Sequence, residues 1–217
     1  MKSLVLLFVT FLSLFVPFAF SLEFPFPPSV TDIEGNDLQL GVPYYAFSAA
    51  FILPAGLCLL DLKNQTIGCP HDVVQCSLLY KPILGLPIIF STGGAFNATP
   101  GAVVKEATPY TVRFPVTAGG LLCLKDTVWG LADVTPFWKF VTTDPNAAAA
   151  EFQVQREGFG YKIAYCVYIP IPRIPVCYPI GFIQDGFNRR LGVGLGVNTA
   201  QFFFTKNGTL LHNYATS

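Results

Sequence analysis

The chain has 217 residues, and its thirteen basic and thirteen acidic side chains cancel. A balanced charge creates no broad field, so neither nucleic acid nor an anionic membrane surface is an expected partner. The length suits a single domain with one sizeable core.

In chain order, the first segment carries Lys2, then an uncharged apolar run to Phe20, and closes on Ala19-Phe20-Ser21. This pattern predicts a secretory signal peptide over 1–21, leaving 22–217 as one domain. Pro17 and the polar Ser21 followed by Glu23 argue against a retained membrane anchor. A chain on the secretory route meets oxidising conditions, so its six cysteines are expected to form disulfides rather than metal or redox sites. Asn-x-Ser/Thr sequons at Asn64, Asn97 and Asn207 fit the same route and mark expected surface loops; Pro100, directly after Thr99, lowers the expected sugar occupancy at Asn97.

Eighteen prolines and nineteen glycines punctuate short apolar or alternating runs, and helical periodicity almost nowhere persists for three turns. Strands are predicted over 44–48, 57–61, 73–78, 88–91, 110–114, 121–124, 138–141, 151–155, 161–168, 180–183 and 201–205. About a dozen short strands suit a closed barrel or a sandwich. The sole helix candidate, 144–151, is short, lacks an apolar stripe and is read as a loop. Most of the twenty-one phenylalanines are assigned to the core.

The segment Val30-Thr31-Asp32-Ile33-Glu34-Gly35-Asn36-Asp37-Leu38, with Gly41 and Tyr44-Tyr45, resembles the N-terminal signature of the plant Kunitz, or soybean trypsin inhibitor, family. Read locally, Asp32 to Asn36 is a turn between apolar runs. Further blocks follow in the family's order: Gly68-Cys69-Pro70, Gly85-Leu86-Pro87-Ile88-Ile89-Phe90-Ser91, Cys123-Leu124-Lys125-Asp126-Thr127-Val128-Trp129 and Gly186-Phe187-Asn188-Arg189-Arg190-Leu191. The resemblance implies an all-β, disulfide-stapled β-trefoil: about twelve short strands in a pseudo-threefold barrel with a hairpin cap. It places Trp129 in the barrel core and implies bridges Cys69 to Cys123 and Cys166 to Cys177. Cys58 and Cys76 are additional; a third bridge between them is the economical reading, with two buried free thiols as the alternative. Arg189 and Arg190, after a predicted turn at Asp185-Gly186, are expected to pair with surface carboxylates.

In this family inhibition comes from one exposed loop presented to a protease, which the resemblance places at 92–103. Its tip candidates are Gly93, Gly94, Ala95, Phe96, Asn97 and Ala98. A trypsin pocket needs Lys or Arg there to meet its buried carboxylate. Between Lys81 and Lys105 the chain has neither, and Lys105 belongs to the returning strand. Family members brace the loop with an Asn just before the glycine of the first signature; here Leu40 precedes Gly41 and cannot donate those hydrogen bonds. The loop's glycines and alanines raise its unfolded-state freedom, which weakens a decoy that depends on preorganisation. Phe96 is the loop's one large side chain and suits a chymotrypsin-like pocket, although a sugar on Asn97 would block approach.

The expected function is therefore that of a secreted or vacuolar protease-inhibitor-like protein, monomeric, with a target protease of unknown class and little activity on trypsin. The alternatives are a trefoil that binds or acts on a small apolar plant metabolite, as water-soluble chlorophyll proteins related to this family bind a pigment, and a storage or defence protein. No catalytic residue, cofactor or metal site is assigned. His71 and His212 read as surface histidines, the cysteines lack metal-ligand spacing, and Gly192-Val193-Gly194-Leu195-Gly196 lacks the last glycine and the following helix of a dinucleotide fingerprint.

Overall fold

The order of strands along the chain is a barrel strand, a hairpin and a barrel strand, repeated three times. A computed structural model describes residues 26–48, 55–62, 70–76, 85–93, 101–115, 127–135, 137–169 and 174–207. The first repeat holds β1 (Pro43–Ser48), β2 (Ala55–Leu60), β3 (Asp72–Gln75) and β4 (Pro87–Ser91). The second holds β5 (Pro109–Arg113), β6 (Gly130–Asp133), β7 (Trp138–Thr142), the two-residue β8 (Ala148–Ala149) and β9 (Phe152–Glu157). The third holds β10 (Gly160–Ile169), β11 (Ile174–Pro179), β12 (Gly181–Asp185), β13 (Asn188–Gly194) and β14 (Phe202–Thr205).

Six of these strands close a ring of antiparallel pairs, β1 to β4, β5, β9, β10, β14 and back to β1. Side chains alternate across a strand, so every second residue points into the ring. Each strand contributes two such residues: Tyr44 and Ala46, Ile88 and Phe90, Tyr110 and Val112, Phe152 and Val154, Tyr161 and Ile163, Phe202 and Phe204, all buried. Aromatic rings interlock within this set, with Phe90 against both Tyr110 and Phe204; Trp129, from outside the six strands, packs against Phe152 and Phe114. A filled barrel of this kind leaves no room for a ligand along its axis.

Hairpins β2–β3, β6–β7 and β12–β13 form the cap. Their inner strands β3, β7 and β13 pair with one another at Asp72 and Thr142, Arg190 and Val74, and Gly192 and Phe140, making a three-sided lid. This is the β-trefoil expected from the resemblance, with fourteen strands among the described residues rather than about twelve.

Four strands escaped prediction: β6, β8, β11 and β13. β11 carries Pro175 and Pro179, and β13 carries Arg189, Arg190 and two glycines, all poor in intrinsic β-propensity. Tertiary pairing overrides that preference. Gly194 is required by approach, because a Cβ there would stand 2.3 Å from Phe137 O and 2.4 Å from Trp138 Cδ1. Segment 144–151 opens with a turn, in which Asp144 Oδ1 accepts from Asn146 N at 2.9 Å, and continues as the two-residue β8. The expected strand over 73–78 starts at Asp72 and ends at Gln75; that over 121–124 lies outside the described residues.

Two disulfides staple the described chain. Cys58 joins Cys76 across β2–β3, and Cys166 joins Cys177 across β10–β11. The Cys69 to Cys123 pair implied by the resemblance lies outside the described residues, as does the segment 1–21. A Cβ at Gly85 would meet Cys76 Sγ at 2.6 Å and Leu57 O at 2.1 Å, and its φ is +69°. Only glycine fits under that bridge.

Candidate functional site

The loop that follows β4 leaves the barrel at Ser91 and returns at Gly101, and its two ends are held by the N-terminal segment. Val104 donates to Leu38 O at 2.8 Å and accepts from Val30 N at 2.9 Å. Leu40 N donates to Ala102 O at 2.8 Å and Gly41 N to Phe90 O at 2.9 Å, so residues 38–41 run between the outgoing and returning limbs. Ser91 Oγ meets Thr111 Oγ1 at 2.8 Å, tying the outgoing limb to β5. The turn that aims this segment is built by Asp32, whose Oδ1 accepts from Glu34 N and Asn36 N. Short polar side chains favour such turns because they reproduce a backbone acceptor.

Leu40 is 7% exposed and belongs to the main apolar core. The brace position is thus filled by packing and offers the loop only its backbone N–H. Lys105 lies in a bridge with Ser29. Its ammonium donates to Ser29 Oγ at 2.9 Å and its N–H to the Tyr110 hydroxyl at 2.8 Å. The nearest cation after the loop is therefore tied to the returning limb. Gly93 is described and exposed; Gly94, Ala95, Phe96, Asn97 and Ala98 lie outside the described residues, as do Asn64 and His212. Asn207 is exposed just after β14.

His71 Nδ1 stands 3.2 Å from Thr143 Oγ1, and its carbonyl accepts from both Thr142 Oγ1 and Thr143 N. The neighbouring Asp72 turns away to Arg190 and to Leu62 N, so the two residues form no dyad. Arg190 pairs with carboxylates as expected, but not only at the surface. It is mostly buried, it bridges Asp72 and Asp185, and its guanidinium carbon lies 3.8 Å from the Phe140 ring centroid. Arg189 contacts Gln75 Oε1, and burial lowers its pKa from the usual arginine value.

The barrel carries a second feature that periodicity alone did not flag. An open cleft of about 410 Å³ lies between the β10–β11 arm and the β7–β13 pair, lined by Phe137, Lys139, Tyr165, Val167, Tyr178, Val193, Gly194 and Leu195. The available signal was the alternation Tyr165, Val167 around Cys166, with Tyr178 beside Cys177.

A closed six-stranded antiparallel ring, a three-hairpin lid and an N-terminal segment clamping one long loop define a β-trefoil of the inhibitor type. A family model described as trypsin and protease inhibitor, of the legume Kunitz kind, matches residues 30–206, and the chain belongs to that family. It is similar to the 21 kDa seed protein of Theobroma cacao, at 30% identity over 82% of this chain and 80% of that one. It is also similar to Kunitz trypsin inhibitor 3 of Arabidopsis thaliana, at 30% identity over 88% and 85%. Among solved structures, soybean trypsin inhibitor in complex with porcine pancreatic trypsin matches with a TM-score of 0.65 and 25% identity, over 83% of this chain and 99% of that one.

Proposed function

We propose that this chain is a secreted or vacuolar Kunitz-type inhibitor-like protein whose 92–103 loop does not act on trypsin. The observation that carries the reading is the pair of contacts at the loop base. Leu40 is committed to the core where relatives brace the loop with an amide, and Lys105 is committed to Ser29. Without Lys or Arg in 92–103, the carboxylate of a trypsin pocket would be buried unpaired, which costs on the order of 1–3 kcal/mol or more for a charged group. The barrel and the clamped loop ends remain suited to presenting a segment to another protease. A protease partner is supported in general terms by the soybean relative's complex with trypsin. An inhibition panel of trypsin, chymotrypsin, subtilisin, papain and an aspartic protease with fluorogenic substrates tests this. The expected result is no effect on trypsin and inhibition of another class; full trypsin inhibition at micromolar protein would refute the reading.

A further inference from the structure

We propose that the cleft between the β10–β11 arm and the β7–β13 pair binds a planar aromatic carboxylate, stacking its rings on Phe137, Tyr165 and Tyr178 and its charge on Lys139. This site is remote in sequence from the 92–103 loop and does not depend on what that loop inhibits.

The shape carries the first part of the inference. At about 410 Å³ the cleft falls within the range of small-molecule pockets, roughly 300–1,000 Å³. Its walls are fixed before any ligand arrives. The Cys166–Cys177 bridge locks the arm beside Tyr165 and Tyr178. On the other wall Val193 pairs with Lys139 and Gly194 with Trp138, and the Trp138 indole N–H donates to Leu195 O at 3.1 Å. A preformed wall leaves little ordering entropy to lose on binding.

Exposure carries the second part. Phe137, Tyr178 and Leu195 are 64%, 39% and 68% exposed, yet they rim one concavity instead of being scattered. Singly exposed apolar groups need no explanation, whereas clustered ones around a cleft mark a binding surface. Aromatic faces favour a flat π system in offset or edge contact.

Charge selects the acid. Among the described lining residues Lys139 alone is ionic. Its ion-pair partner Asp133 is three-quarters exposed, and such surface pairs contribute little. The ammonium has three donors, so it keeps Asp133 and still meets a carboxylate inside the cleft.

The test uses the full mature chain with 2-naphthoate and its neutral amide, 2-naphthamide, by calorimetric titration. The wild-type chain is expected to bind both, and the acid more tightly. Lys139→Gln should weaken naphthoate about tenfold and leave naphthamide unchanged. Val167→Trp, filling the cleft, should abolish both, with circular dichroism confirming the fold. If that variant misfolds, Leu195→Asp at the exposed rim should repel the acid about tenfold and spare the amide. The proposal is overturned by no naphthoate binding at about 1 mM, by equal acid affinity in the Lys139→Gln chain, or by a concentration-dependent dimer that Val167→Trp dissociates, since the cleft would then be covered by a second copy.

Discussion

Arg190 on β13 and Asp72 on β3 face each other across the lid, both largely withdrawn from water, although 118 residues separate them in the chain. The pair ties the first repeat to the third at the point where the three inner hairpin strands meet. Asp185, half exposed, takes the second guanidinium nitrogen at 3.1 Å. Removing one partner of a buried pair strands the other charge, and that penalty exceeds the value of the pair itself. Arg190→Ala should therefore lower stability by about 3–5 kcal/mol in urea unfolding. Asp185→Ala should cost no more than about 1 kcal/mol. Equal losses would contradict this assignment of the burden to Asp72.

Two glycines with positive φ separate backbone strain from collision. At Gly35, φ +84°, a Cβ meets nothing within 4 Å, so Gly35→Ala should cost only the left-handed penalty of about 1–2 kcal/mol. At Gly85 the same substitution adds contacts with Cys76 Sγ and Leu57 O, and the loss should exceed that of Gly35→Ala by at least about 1 kcal/mol. Thermal denaturation of the two variants side by side gives the comparison.

Leu40→Asn restores the amide that relatives use at this position, but in a site built for an apolar side chain. Burying the amide beside the core should cost about 2–4 kcal/mol. Trypsin should remain uninhibited, because the loop still offers its pocket no cation. Trypsin inhibition by Leu40→Asn alone would show that the brace, and not the missing Lys or Arg, is the limiting defect.

The Tyr161 hydroxyl accepts from Thr31 N at 2.8 Å and lies 3.0 Å from Thr31 Oγ1, joining β10 to the N-terminal segment. Tyr161→Phe keeps the ring in the barrel and removes that acceptor. A loss of about 1–3 kcal/mol is expected, with faster hydrogen exchange at the Thr31 amide. Unchanged exchange at Thr31 would mean that the segment is held by its other bonds.

Much of the barrel was legible because its residues obey a local rule. Tyr44 and Ala46, or Phe202 and Phe204, alternate with period two and face inward as that period requires. The Asp32-to-Asn36 turn was legible for the same reason, since its hydrogen bonds are local. β13 was not legible: Asn188-Arg189-Arg190 reads as a polar stretch, and its strand geometry is imposed by β12, β7 and β3. The depth of Arg190 was hidden likewise, because its partner lies in another repeat. The cleft combines residues from β10, β11 and the β7 and β13 ends, and no periodicity in one segment reports a concavity between segments. The proposal that the 92–103 loop does not serve trypsin, by contrast, rests on residue types, which the sequence displays directly.

Closure of the barrel depends on β14, which pairs with β1 on one side and with β10 on the other. Until residues 202–205 have been synthesised, those two strands have open edges and the aromatic interior has no final wall. Most of this chain therefore emerges from the ribosome before the strand that seals it. Closure then joins segments about 160 residues apart in sequence, through non-local contacts of the kind that fold slowly. Unpaired edges invite pairing with other chains in the meantime.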